Sequence, residues 1–244
     1  MGPGNKLDRT HRAEKAVLDS DIIVGYAPYL ESIADLTSGK QCYSSGMRKE
    51  IERCTGAVEY ACNGHTVSVI SSGDSGIYGM AGLVLEILHR KGLDIPVEVV
   101  CGVSAANAAA AALGAPLMND FAVISLSDLL VPLERIKKRL EALAALDMVT
   151  VIYNPKSKTR TEPFEMMVSI FSAHRSAETA VGIVTKASSE DEEVVTVTTL
   201  GKLRECQIGM STTIIIGSGD VALLDGRMVS LRGYRLDGNR ADHE

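Results

Sequence analysis

Tryptophan is absent from the chain, and aromatic residues of all kinds make up only 4% of its 244 residues. The interior must therefore be filled by the aliphatic residues and alanines that bring the hydrophobic share to 45%. Such an interior is typical of sheets that are covered by helices on both faces. The length of the chain suggests one large or two modest domains.

Long apolar runs are also missing. No run reaches the ~18–20 residues that a membrane-spanning helix needs, and residues 1–6 lack the apolar core of a signal peptide. Acidic side chains outnumber basic ones by 31 to 25, which gives a net charge of −6, so a general nucleic-acid footprint is not expected. These absences predict a cytoplasmic protein that binds neither nucleic acid nor membrane.

Signals for metals, disulfides and nucleophiles are scarce as well. The five cysteines include no C-x-x-C pair, and the five histidines are scattered without ligand spacing. An odd cysteine count without paired spacing argues against a disulfide framework or a zinc site. Neither G-x-S-x-G nor an acidic pair typical of hydrolases occurs. We therefore expect no metal, and a reaction that depends mainly on positioning.

Strand-like and helix-like segments alternate along the first part of the chain. The apolar runs at 21–26, 66–70 and 96–101 predict strands, and helical patterns cover 11–18, 47–62 and 80–91. An alanine-rich helix is predicted to follow from residues 102–107 and to stop at 114–116. This rhythm predicts a parallel sheet. The second part begins in the same way and then carries three β-rich runs with little helix between them, at 180–185, 194–200 and 211–217. That pattern favours a mixed sheet. The sequence predicts two α/β domains, residues 1–116 and 117–244.

Three turns of small residues follow strands or begin the chain, at 2–4, 73–79 and 102–106. Glycine permits positive φ and close approach to the backbone, and open α/β sheets bind ligands at the carboxyl ends of their strands. The turns therefore predict a site for a nucleoside-like ligand, although close helix–sheet packing also selects small residues. A dinucleotide site is disfavoured because Gly73-x-x-Gly76-x-x-Gly79 lacks the G-x-G-x-x-G spacing.

Basic side chains cluster in two places. Lys156, Lys158 and Arg160 follow the predicted strand 148–153, and Arg48 and Lys49 begin the helical pattern at 47–62. Arginine and lysine so placed suit carboxylates or phosphates, whereas a solvated loop or helix surface is the alternative. In an acidic chain, such clusters indicate a small polyanionic substrate.

Several segments resemble a known family. Residues 70–81 resemble the second motif of the tetrapyrrole methyltransferases, and 102–106 with 113–117 resemble the third. The segments 47–54, 120–130 and 153–157 are similar to one group of that family, the precorrin-3B C17-methyltransferases and their cobalt-substrate counterparts. The resemblance covers nearly the whole chain. One departure is Gly4-Asn5-Lys6, which stands where the family has Gly-Asp-Pro.

The resemblance implies two α/β domains with an active-site cleft between them, usually as a homodimer. It also implies S-adenosylmethionine as cofactor and methylation of carbon 17 of a precorrin-3B-type tetrapyrrole with ring contraction, in cobalamin biosynthesis. Position by position, it predicts cofactor contacts at Pro3, Gly73, Asp74, Ile77, Ser104, Ala105, Asn154, Thr198 and Thr213. Substrate carboxylates would meet Arg48, Lys49, Lys156, Lys158 and Arg160. Candidate catalytic groups for proton transfer are Asp120, Ser125, Ser127 and Tyr153.

Three other functions stay open from the sequence. The chain could be another S-adenosylmethionine-dependent tetrapyrrole methyltransferase of the same pathway, or a non-catalytic tetrapyrrole-binding protein. It could also be a dinucleotide-dependent oxidoreductase, which NADH binding would support. Methyl transfer to a tetrapyrrole separates the first of these from the other two.

Overall fold

The computed structural model describes residues 1–234. Within them the chain forms two compact units. The first unit consists of Met1–Ala105 together with Ser188–Glu190, and the second consists of Ala106–Ala187 together with the residues from Asp191 onward. Each unit has a sheet and a core of its own.

The first unit is built on a three-stranded parallel sheet. Its strands are β1 (Ile22–Tyr26), β2 (Gln41–Ser45) and β3 (Val67–Val69), in the order β2–β1–β3. Its helices are α1 (His11–Asp19), α2 (Ala27–Glu31), α3 (Ala34–Thr37), α4 (Glu50–Cys62) and α5 (Ala81–Lys91), and a 3₁₀ turn covers Lys6–Asp8. The predicted parallel sheet is confirmed.

Local signals in the sequence set the ends of these helices. The Thr10 side chain accepts a hydrogen bond from the backbone N–H of Ala13 and so caps the start of α1. Helix α5 ends at Gly92, whose φ of 62° is the left-handed conformation that glycine adopts without strain. Its last turn carries His89, Arg90 and Lys91, which complement the negative end of the helix dipole.

In this unit one strand was missed and one predicted strand was wrong. Strand β2 was missed because its residues are polar and mostly exposed at the edge of the sheet. Residues 96–101 are not a strand in the described chain. A cavity of about 610 Å³, lined by β3 and by residues 95–100, lies beside them. Val97 and Val99 are 40% and 46% exposed. A β-branched run forms a strand only where a neighbouring strand pairs with it, and this segment has no such partner among the described residues.

The second unit contains helices α6 (Ala105–Leu113), α7 (Leu133–Ala145) and α8 (Glu162–His174). Its main sheet uses β5 (Phe121–Ser125), β6 (Val149–Tyr153), β7 (Ala180–Thr185), β8 (Val194–Thr199) and β9 (Thr212–Ile216). The order is β5–β6–β9–β7–β8; β5 and β6 run parallel and the other pairs antiparallel. The predicted mixed sheet is therefore confirmed. A 3₁₀ helix covers Leu200–Glu205.

A second, smaller sheet in this unit was not predicted. It consists of β4 (Gly114–Ala115), β10 (Val221–Leu224) and β11 (Arg227–Ser230), in the order β10–β11–β4. Strands β10 and β11 form an antiparallel hairpin around Asp225 and Gly226, both of which have positive φ. Strands of two to four residues carry too little periodicity to be recognised in the sequence.

Helix α6 packs on the sheet of the second unit. Its residues Ala106, Ala109 and Leu113 share a core cluster with Val151 and other residues of β6, β7 and β9. A Cβ on Gly182 would lie 2.2 Å from Leu113 Cδ1, so glycine is needed there to let the helix approach the strand. The predicted domain boundary at 116/117 thus falls after this helix, whereas the packing groups α6 with the second unit.

Residues 1–234 contain neither a helix suited to a membrane nor a side-chain cluster suited to a metal ion. In residues 1–234, no helix combines the length and the apolar character needed to cross a membrane. Among the same residues, no group of three or more histidine, cysteine, aspartate or glutamate side chains is placed to hold a metal ion.

Cys54 should resist thiol reagents at neutral pH. It is fully buried, and burial raises its pKa to about 11, so little of the reactive thiolate is present. Cys42, Cys62 and Cys101 are exposed and serve as internal controls. Mass mapping after brief treatment of the folded protein with a maleimide should show label on those three and none on Cys54. Equal labelling of Cys54 would contradict its burial.

Candidate functional site

The glycine turn after β3 is held against the start of the chain. Gly2 and Gly73 exchange two backbone hydrogen bonds, of 3.2 Å from Gly2 N–H and 2.8 Å from Gly73 N–H. The Met1 ammonium donates to the carbonyls of Ser71 and Gly73 at 3.1 and 3.3 Å, and burial lowers its pKa. Because Pro3 follows Gly2 directly, these contacts place it beside the Gly73 turn.

Asp74 fastens two turns together with one carboxylate. Oδ1 accepts hydrogen bonds from the backbone N–H groups of Gly76 and Ile77 at 2.8 and 3.1 Å. Oδ2 accepts from the backbone N–H of Gly102 at 2.9 Å. Because a carboxylate binds backbone donors strongly, Asp74 fixes the shape of the turn after β3 and its distance from the next turn.

The two turns approach each other closely because glycine lines both of them. Gly73 has a φ of 66°, and a Cβ there would lie 3.7 Å from Ala105 N and 3.8 Å from Ser104 Cα. A Cβ on Gly102 would lie only 2.3 Å from the Gly73 carbonyl oxygen. Ser104 is buried, whereas Ile77 is 42% exposed. The first unit thus brings together six predicted cofactor residues: Pro3, Gly73, Asp74, Ile77, Ser104 and Ala105.

Sequence reasoning missed two groups that shape this site. Gly102 provides the N–H that binds Asp74, and the Ser75 hydroxyl donates to the Val100 carbonyl at 2.9 Å. Gly102 was recognised as part of a turn, but its partner lies 28 residues earlier in the chain. Nothing in the local sequence signals a bond over that separation.

The resemblance implies that the Gly73 turn binds S-adenosylhomocysteine, and on that expectation Asp74→Asn should weaken its binding about tenfold. The amide keeps one acceptor oxygen, but its nitrogen cannot accept the N–H of Gly102, and a hydrogen bond to a charged group contributes about 1.5–3 kcal/mol. Isothermal calorimetry measures the change. Asp94→Asn, at an exposed carboxylate outside the turn, is the control and should bind normally. Equal affinities of the two variants would show that Asp74 does not organise the site.

A second group of polar residues lies at the carboxyl ends of β5 and β6. Ser125 and Tyr153 are paired where these strands end. Asn154 follows with a φ of 50°, and its Nδ2 donates to Ser125 Oγ at 3.0 Å. The Ser127 N–H donates to the same oxygen at 3.2 Å, and the Tyr153 hydroxyl accepts from the Ala106 N–H at 2.8 Å. These candidates therefore form one cluster.

Strand direction separates three other candidates. β6 and β7 both run antiparallel to β9, so their carboxyl ends lie at the same edge. Thr213 pairs with Val184 near that edge, whereas Thr198 pairs with Val181 near the opposite one. Asp120 precedes β5 and so lies at the amino end of that strand. The structure brings Thr213 near the cluster but not Thr198 or Asp120.

The three cations after β6 differ in their surroundings. The Arg160 guanidinium donates to the carbonyl oxygens of Leu126 and Asn154 at 2.6 and 2.7 Å. Lys156 is half-buried, and Lys158 is exposed. The Lys156 ammonium lies over the Phe164 ring, 5.2 Å from its centre, and the donors of Arg160 are directed at the backbone, so Lys158 is the most accessible of the three cations.

The basic side chains of the first unit also fall into two kinds. Arg48 and Lys49 are exposed just before α4, where Arg48 has a φ of 63°. Lys49 Nζ lies 2.6 Å from a carboxylate oxygen of Glu52. Arg53 is buried and donates to the Gly46 carbonyl at 3.0 Å. Arg48 and Lys49 can therefore reach a solute, while Arg53 holds the loop before the helix.

A family model supports the resemblance described above. The model for Tetrapyrrole (Corrin/Porphyrin) Methylases matches residues 1–204 of the chain. This range contains the Gly73 turn, the turn at 102–105 and the cluster at the ends of β5 and β6. The match therefore includes both groups of candidate residues except Thr213.

Individual proteins are similar over almost the whole chain. The chain is 45% identical to a cobalt-factor III methyltransferase of Priestia megaterium, over 96% of the chain and 44% of that relative. It is 43% identical to a probable cobalt-factor III C(17)-methyltransferase of Salmonella typhimurium, over 97% of the chain and 98% of that relative. The crystal structure of the methyltransferase CobJ superposes with a TM-score of 0.87 at 31% identity, covering 94% of the chain and 96% of that structure.

Proposed function

Since the chain belongs to the tetrapyrrole (corrin/porphyrin) methylase family, we propose that it methylates carbon 17 of a precorrin-3B-type tetrapyrrole. The reaction uses S-adenosylmethionine, contracts the ring and serves cobalamin biosynthesis. The observation that carries this proposal is the 43% identity to a probable C(17)-methyltransferase over 97% of the chain and 98% of that relative. The chain spans less than half of the Priestia megaterium relative, so only part of that protein is matched.

The Gly73 turn fits the proposed cofactor. Gly73 has no side chain to block access to the backbone, and a Cβ there would point toward Ser104 and Ala105. Asp74 holds the turn rigid, and the exposed Ile77 offers an apolar surface. Pro3, Gly73, Asp74, Ile77, Ser104 and Ala105 would hold the cofactor in this unit, and the resemblance adds Asn154 and Thr213 as cofactor contacts. When bound, S-adenosylmethionine supplies a methyl group carried on a positively charged sulfur.

The proposed substrate carries acetate and propionate carboxylates, which suit cationic side chains. Lys156 and Lys158 follow the carboxyl end of β6, and Arg48 and Lys49 are exposed before α4. Charge-assisted hydrogen bonds from these groups would fix the macrocycle and orient its reacting carbon. Because exposed charges are screened by salt, affinity for the tetrapyrrole should fall as ionic strength rises.

Ser125 is the best supported proton-handling group of the cluster. Its Oγ accepts hydrogen bonds from Asn154 Nδ2 and the Ser127 N–H, and neither bond uses the hydroxyl hydrogen that it can donate. The hydroxyl of Tyr153 accepts from the Ala106 N–H and helps to hold the start of α6. We therefore assign Ser125 a role in moving or holding a proton during ring contraction, and Tyr153 a role in placing the helix.

We also propose that the protein is a homodimer and that it is located in the cytoplasm. Its basis is the resemblance to the family and the frequency of closed two-fold assemblies among oligomers. Light scattering at micromolar concentration should give twice the chain mass of 26.0 kDa. A mass of 26.0 kDa would contradict the dimer but not the proposed reaction.

Mass spectrometry of the reaction products tests the proposed activity. The protein is incubated with S-adenosylmethionine and either the cobalt-containing or the metal-free tetrapyrrole. We expect one of the two to gain the mass of one methyl group while S-adenosylhomocysteine accumulates. Tetrapyrrole binding without methyl gain would instead favour a non-catalytic binding protein, and NADH binding would favour an oxidoreductase.

A further inference from the structure

Arg160 lies at the end of a tight turn that folds back toward β6. The Ser157 N–H donates to the Arg160 carbonyl at 3.0 Å, and the Arg160 N–H donates to Ser157 Oγ at 3.1 Å. These two bonds fix the backbone at both ends of the turn. The Arg160 side chain is therefore returned to the end of the strand that the chain has just left.

The guanidinium joins two separate backbone segments. Nη1 donates to the Leu126 carbonyl, directly after β5, and Nη2 donates to the Asn154 carbonyl, directly after β6. Nε lies 3.8 Å from Asp128 Oδ1, and the side chain is only 20% exposed. A planar guanidinium with several fixed donors can hold two carbonyls at once, which the single ammonium of a lysine cannot do in the same geometry.

Both segments carry residues of the candidate site. Asn154 has a φ of 50°, in the left-handed region that asparagine adopts more readily than most non-glycine residues. Its amide binds Ser125 Oγ, and Ser125 immediately precedes Leu126. A change in the two carbonyl positions would therefore move Asn154 and Ser125 together.

We propose that Arg160 is a positioning residue, which holds Asn154 and Ser125 in place through the carbonyls of Asn154 and Leu126, and not a contact of the substrate carboxylates. This inference rests on the proposed function and deepens it. Arg160 then differs in role from the other four cations that the sequence predicted to bind substrate. The lysines bind substrate, and the arginine fixes the loops that present the cofactor and proton-handling groups.

Steady-state kinetics of Arg160→Gln and Arg160→Lys test this division. We expect kcat to fall tenfold or more in both variants and S-adenosylhomocysteine to bind more weakly, while the KM for tetrapyrrole changes less than twofold. Lysine should fail to rescue kcat because it keeps the charge but loses the planar pair of donors. Arg139→Gln, at an exposed arginine of α7, is the matched control and should behave like the unaltered protein.

The salt dependence of tetrapyrrole binding separates positioning from direct contact. The slope of affinity against salt should be unchanged in Arg160→Gln and shallower in Lys158→Gln, because only the latter removes a substrate charge. As a control, thermal unfolding measures whether each variant is folded at the assay temperature. A purely structural role would lower the unfolding midpoint and leave the kcat of the folded enzyme intact.

Three results would overturn the inference. Full kcat in Arg160→Lys would make charge sufficient, and a loss confined to tetrapyrrole affinity with a shallower salt slope would make Arg160 a substrate contact. Normal kcat and normal S-adenosylhomocysteine affinity in Arg160→Gln would show that the site does not depend on it. If the unaltered protein neither bound S-adenosylhomocysteine nor transferred methyl groups, the proposed function itself would fail and take this inference with it.

Discussion

Gly73→Val should lower the affinity for S-adenosylhomocysteine at least about a hundredfold, which corresponds to ~2.7 kcal/mol of binding free energy. Gly73 has a φ of 66°, so a branched side chain forces either backbone strain or a change in the turn. The new side chain would also point toward Ser104 and Ala105, whose atoms lie 3.7–3.8 Å from the Cβ position. Both effects change the backbone surface of the two adjacent turns, where we propose that the cofactor binds. Calorimetry gives the affinity.

Gly64→Val is the matched control for this substitution. Gly64 has a φ of 89°, and nothing lies within 4 Å of a Cβ placed there. It should therefore suffer comparable backbone strain and bind S-adenosylhomocysteine normally. If both variants lost binding to the same extent, the effect of Gly73→Val would be general destabilisation. Unchanged binding in Gly73→Val would refute the location of the site.

Arg175→Ala should lower the free energy of unfolding by about 3 kcal/mol or more. The side chain is buried, and its guanidinium donates to the carbonyls of Gly217, Leu143 and Met148 at 2.6–2.9 Å. Removing it leaves the buried Gly217 acceptor and the partly buried Leu143 and Met148 acceptors without this donor, and each buried group left unsatisfied costs about 1–3 kcal/mol. The guanidinium also lies 4.8 Å from the centre of the Phe171 ring, a contact that is lost as well.

Urea denaturation measures this loss, and Arg135→Ala provides the comparison. Arg135 is exposed on α7, and surface substitutions of this kind usually change stability by less than about 0.5 kcal/mol. Burial lowers the pKa of Arg175, and the nearby Asp147 opposes that shift. A loss below about 1 kcal/mol in Arg175→Ala would show that water replaces the side chain without penalty.

The elements that the sequence predicted well are those whose burial leaves a pattern in the residues. Strands β1 and β6 are almost completely buried and read as continuous apolar runs, so they were recognised. Strand β2 is an exposed polar edge and left no such pattern. The segment 96–101 has the composition of a strand without a partner, because pairing depends on neighbours that a local pattern does not contain.

The sequence predicted which turns form the candidate site, but not the hydrogen bonds that hold those turns together. Glycine at 73 and 102 marks both turns of the first unit, and the structure confirms that the two are adjacent. The bond from Gly102 to Asp74 spans 28 residues and leaves no local sign. The contacts of Arg160 could not be predicted either. Nothing in the neighbouring sequence distinguishes an arginine that binds backbone carbonyls from one that faces solvent.

The most direct test of the account is the position of the methyl group in the product. The protein is supplied with S-adenosylmethionine whose methyl carbon is carbon-13 and with the tetrapyrrole that it accepts, and the product is analysed by nuclear magnetic resonance. We predict a single labelled methyl group on carbon 17 of a contracted ring. Label on another carbon would show that the chain is a different methyltransferase of the family, and a product without label would contradict the proposed activity.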